Sequence, residues 1–106
     1  LIKNKANIKR KDKFNRTLLH LATAFGQTKF ARLLLKNGLD PDAKDDLKRT
    51  ALHWASQKGD QELISLLNDY NSKLNEEDCF GDSPLIVAAF FGNTKEVSLL
   101  FEKGGR

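Results

Sequence analysis

Thr50-Ala51-Leu52-His53-Trp54-Ala55 decides the fold, because a counterpart lies 33 residues away on either side. Thr17-Leu18-Leu19-His20-Leu21-Ala22 precedes it and Ser83-Pro84-Leu85-Ile86-Val87-Ala88 follows. The same step joins Gly26, Gly59 and Gly92, then Asp12, Asp45 and Asp78, and then Leu34, Leu67 and Leu100. The correspondence therefore runs through a whole unit and not one local word. Thr17, Thr50 and Ser83 carry hydroxyls that can accept a first-turn amide, and Pro84 sits where a helix tolerates proline. A short helix is expected after each, ending near the repeating glycine. Asp60 and Asn93 are expected to cap a second helix, whose apolar face in the middle unit is Leu63, Ile64, Leu66, Leu67 and Tyr70. Gly38, Asn71 and Gly104 should end the second helices, since glycine and asparagine enter the left-handed conformation at least cost. One such helix pair cannot cover its own apolar side, so units must stack.

The hexapeptides resemble the T-P-L-H-x-A opening of the ankyrin family, whose unit is also 33 residues. The resemblance implies an all-α solenoid of stacked antiparallel helix pairs joined by β-hairpin-like turns. It divides residues 1–106, one domain, into the end of a truncated unit (1–11), units at 12–44 and 45–77, and an incomplete one at 78–106. Lys5 and Lys48 stand where the pattern has glycine; at positive φ each costs on the order of 1 kcal/mol. Ile86 replaces the histidine of the other units, which suggests a polar contact exchanged for packing. Leu1, Ile2, Val97, Leu99 and Leu100 lie in the outermost units without polar capping substitutions, and methionine is absent. The expectation is a fragment of a longer array, its ends covered by further units, another domain or end-to-end self-association.

Composition suits a soluble fold, at 40% apolar and 30% charged residues. No run of about 18 uncharged apolar residues is present, and no secretory leader pattern opens the chain. The single Cys79 cannot form an internal disulfide, which points to an intracellular protein, cytoplasmic or nuclear. Residues 1–44 hold 11 Lys/Arg against 3 Asp/Glu, a balance of +8, whereas residues 45–106 hold 7 against 11, a balance of −4. Lys3, Lys5, Lys9, Arg10, Lys11 and Lys13 could thus steer an anionic partner.

Nothing in the sequence calls for catalysis. There is no phosphate loop, nucleophile elbow, metal-ligand cluster or carboxylate pair with acid–base spacing. The resemblance makes His20 and His53 structural, bonded near the turns; one unit apart, roughly ten ångströms, they are too far to share a zinc bound at about 2 Å per ligand. Cys79 falls in a turn with no neighbouring base, and Asp45-Asp46 and Glu76-Glu77-Asp78 fall where acidic groups accept backbone amides. No cofactor and no metal are expected.

Binding is the expected function. Two residues after each repeat-opening aspartate come Phe14, Leu47 and Phe80, at tip positions that the resemblance would make polar. With Phe25 and Phe91 on the first helices they form a candidate apolar strip, of which one of Phe90 and Phe91 is expected to turn inward. Lys13, Arg16, Arg49 and Lys58 ring the strip and favour acidic groups on a partner protein or peptide. A competing reading packs the same strip in cis within a larger enzyme or channel. Another gives the basic patch to nucleic acid or an anionic membrane, which the reading does not favour. Asn75, eight residues after Leu67, resembles the context in which ankyrin asparagines are hydroxylated.

Overall fold

A computed structural model describes residues 8–106, and among them are six α-helices and no strand. They are α1 (Leu18–Ala24), α2 (Thr28–Lys36), α3 (Ala51–Lys58), α4 (Gln61–Asp69), α5 (Pro84–Phe90) and α6 (Thr94–Glu102). The three hydroxyl caps form as expected. Thr17, Thr50 and Ser83 accept the amides of His20, His53 and Ile86, and Pro84 is the first residue of α5. Two or three residues then reverse the chain into the second helix of each pair, with Gly26, Gly59 and Gly92 at positive φ. Gly38, Asn71 and Gly104 take up positive φ after α2, α4 and α6.

Packing repeats with the sequence. First helices stack on first helices, α1 on α3 on α5, and second on second, α2 on α4 on α6. The stack is elongated, 39 Å against 24 and 21 Å. Leu34, Leu67 and Leu100 are completely buried, and Ala22, Ala55 and Ala88 are small enough to let the helices close on one another. Leu19 and Leu52 fill the same level of the core, joined by Leu63 and Ile64 from α4. Thr23 and Ser56 hide their hydroxyls by donating them back to the carbonyls of Leu19 and Leu52. No buried polar group is thereby left unpaired at these positions.

Four expectations change. Asn93 stands at the head of α6 but gives that helix no side-chain cap; its amide instead donates to the carbonyls of Ser56 and Gln57, at 2.8 and 3.0 Å. It thus satisfies the end of α3 in the preceding unit, where carbonyls lack helical partners. Leu100 is buried and not an open end, while Val97 and Leu99 are partly covered. Ile86 does not gain packing: it is 46% exposed where His20 and His53 are 1%. Neither Phe90 nor Phe91 turns inward; they meet edge-on at the surface with ring centres 5.3 Å apart. Lys48 does adopt φ 59°, as its place in the pattern requires. Leu1, Ile2, Lys3 and Lys5 lie outside the described residues.

Candidate binding site

Each loop is built around its opening aspartate. The Oδ1 atoms of Asp12, Asp45 and Asp78 accept two amides apiece, from Phe14 and Arg16, Leu47 and Arg49, and Phe80 and Asp82, at 2.9–3.0 Å. A backbone pair closes each turn, Asp12 N–H to Arg16 O, Asp45 N–H to Arg49 O and Asp78 N–H to Asp82 O. Left-handed Asn15, Lys48 and Gly81 complete the reversal. Successive loops are then joined by one rung each: the Asp46 amide donates to Phe14 O at 3.0 Å and the Cys79 amide to Leu47 O at 2.8 Å.

That stitching sets Phe14, Leu47 and Phe80 in a row, 48, 47 and 70% exposed. Phe14 is held by cations, with Lys13 Nζ 5.3 Å and Arg16 Cζ 5.0 Å from its ring centre. Phe25 is exposed and lines neither of the two grooves described next.

Trp54, in the sequence one position of the repeating hexapeptide, stands between two grooves and lines both. On one side is a tip groove of about 400 Å³ lined by Phe14, Arg16, Asp45, Asp46, Leu47 and Trp54. On the other is a helix-side groove of about 460 Å³ lined by Ala24, Arg49, Trp54, Gln57, Lys58 and Phe91. Volumes of this order accept small ligands or one or two side chains. The indole donates to Asp45 Oδ2 at 3.1 Å and meets the His20 ring edge-on at 5.2 Å between centres. Its signal in the sequence was the sole tryptophan, standing where the other units have Leu21 and Val87.

The expected ring of free cations is mostly engaged. Arg16 Nε donates to Asp12 Oδ2 at 2.7 Å within its own loop. Arg49 finds the matching oxygen of Asp45 taken by Trp54: its Nε crosses to the next unit to face Asp78 Oδ2 at 3.5 Å, while its Nη1 donates to Gln57 Oε1 of its own unit. Lys58 Nζ donates at 2.8 Å to Ala24 O, one of the orphan carbonyls at the end of α1. Lys9, Arg10, Lys11 and Lys13 are exposed.

The histidines are joints. In each, Nδ1 accepts the amide of its own N-cap, Thr17 or Thr50, at 3.1 Å, and Nε2 donates to the following loop, at Arg49 O or Asp82 O, at 2.8 Å. The accepted amide fixes the proton on Nε2, so the rings work as neutral imidazoles. Burial is the main cause holding both below the ordinary 6.5, against the opposing backbone carbonyls. The Asp78 carboxyl is pushed up by burial, yet the amides of Asp82 and Phe80, then His53 and Arg49, bring it below its usual 3.8. Asp12 is likewise lowered, its amide and Arg16 bonds outweighing desolvation. Cys79 is exposed, and Asn75 exchanges bonds with the backbone of Gly104 and Arg106.

No described helix is long and apolar enough to cross a membrane. A family model described as ankyrin repeats (3 copies) matches residues 1–78 and, in a second match, residues 34–106.

Proposed function

The chain belongs to the ankyrin-repeat family, whose members are generally protein–protein interaction modules and typically not enzymes, and from that premise we propose that this one binds a partner protein or peptide along its loop tips and the adjoining side of its first helices. One observation carries the reading: Phe14, Leu47 and Phe80 sit on three stitched loops and remain about half exposed or more. Burying a large side chain would have been worth about 1.5–3 kcal/mol to the fold. A contiguous apolar row that the fold leaves open is instead suited to a partner. Trp54 and Phe91 extend the row toward the helices, and Phe25, Lys13, Arg16, Arg49 and Lys58 stand at its margins. An intracellular setting, cytoplasmic or nuclear, goes with this reading, since an exposed lone thiol is suited to a reducing compartment.

The test is a chain carrying Phe14→Ser, Leu47→Ser and Phe80→Ser together. Its unfolding free energy, read from urea titration, should stay within about 0.5 kcal/mol of wild type per site, as for surface substitutions, while capture of the partner from lysate is lost. A steep fall in stability would assign the row to packing, and undiminished capture would move the site elsewhere.

A further inference from the structure

The two grooves that meet at Trp54 differ in charge, and this sets a direction for whatever lies across them. The helix-side groove has two cations and no carboxylate in its wall, Arg49 and Lys58. Lys58 spends one of its three N–H groups on Ala24 O and keeps two. Arg49 donates through Nη1 to the neutral Gln57 and faces Asp78 Oδ2 through Nε at 3.5 Å, so Lys58, bonded to a carbonyl and to no carboxylate, is the less compensated charge of the two. The tip groove has the opposite balance, with two carboxylates, Asp45 and Asp46, and one guanidinium, Arg16. That guanidinium is already paired with Asp12 at 2.7 Å. The carboxylates are held in place by the loop amides, by Trp54 and by the Asn15 side-chain amide, which reaches Asp46 at 2.6 Å. An acid entering the tip groove would therefore meet fixed negative charge. The same acid on the other side of Trp54 would meet the uncompensated ammonium of Lys58 beside the partly paired guanidinium of Arg49.

Resting on the site proposed above, we propose that its occupant is one extended segment of a partner protein laid across Trp54 with fixed polarity. An acidic side chain occupies the groove beside Arg49 and Lys58, and an uncharged, large apolar side chain occupies the tip groove between Phe14 and Leu47. The acidic preference read from the sequence thus belongs to the helix side alone. Like-charge exclusion at the tips makes the reversed peptide a poor ligand, which is how one surface reads direction as well as composition.

The probe is a random 12-residue peptide library displayed on phage and panned against the whole chain. Lys58→Glu and the triple serine chain are panned in parallel. Affinities of enriched peptides are read from the fluorescence of Trp54, the sole tryptophan. The expected result is a large apolar residue with an acidic residue at constant spacing on one constant side of it. Lys58→Glu should weaken these peptides tenfold or more and enrich basic residues in their place, while Lys58→Arg retains them. Circular dichroism checks that each variant is folded. Enriched peptides that need the three tip residues but show no acidic preference, or one unmoved by Lys58→Glu, overturn the polarity and leave the site standing. Peptides that bind the triple serine chain equally well overturn the site itself, and no enrichment at all overturns both.

Discussion

The middle and last units share a backbone and differ in what they do with it. In the middle unit His53 is buried and ties the head of α3 to the loop of the next unit, Trp54 pins Asp45, and Arg49 crosses to Asp78. In the last unit the three corresponding residues are Ile86, Val87 and Asp82. Ile86 is half exposed and joins nothing, Val87 is simply buried, and Asp82 contributes a carbonyl to His53. The difference teaches that the 33-residue pattern specifies helices and turns, while three variable positions decide whether a unit also builds a joint and a groove. Phe90, 83% exposed, stands where the middle unit has Gln57 and the first has Ala24.

The largest effect that can test this contrast is truncation at the two equivalent positions. His53→Ala removes the acceptor for the Thr50 amide and the donor to Asp82 O in a buried setting, and leaves a cavity. The expected cost is about 2–4 kcal/mol. Ile86→Ala should cost under about 1 kcal/mol, since its side chain is half in water already. Equilibrium urea unfolding of both variants measures the two values. Equal losses would mean that the histidine is ordinary packing and not a joint.

Acid sharpens the same contrast more gently. His20 and His53 have folded-state pKa values below 6.5, so between that value and 6.5 the unfolded chain binds the more protons. Their stabilising contribution is therefore complete above pH 6.5 and is lost as pH falls through 6.5 toward the lowered value. Asp12 and Asp78, lowered from 3.8, contribute above that pH and lose their contribution below it. The urea midpoint should thus be level near pH 7.5, decline below about 6.5, and fall again below about 3.8. A midpoint that stays level from pH 7.5 to 5 would show that the rings are not held neutral.

The scaffold was legible because its signals are local. A hydroxyl at the head of each first helix, a glycine or asparagine just past each helix end, and leucines at constant spacing determine the backbone within one unit. The histidine role was legible through the family resemblance, and the row of Phe14, Leu47 and Phe80 through its period. What escaped depends on choices between units. Whether Arg49 pairs with Asp45 or Asp78 turns on Trp54 having claimed Asp45 first. Lys58 and Asn93 bond to carbonyls 34 to 37 residues away in sequence, so neither residue type nor local spacing marks them as engaged. Ile86 reads as a packing residue until the face it lies on is found to be open.

The central claim is that the loop tips form a continuous ridge before any partner arrives, held by the rungs from Asp46 to Phe14 and from Cys79 to Leu47. Amide hydrogen exchange of the free chain at those two residues tests it most directly. Both amides should exchange at least about tenfold more slowly than in the unfolded chain, because each is bonded across a unit boundary. Exchange at the unfolded rate at Asp46 and Cys79, with the helices still protected, would mean that the tips are independent and that Phe14, Leu47 and Phe80 share no preformed surface.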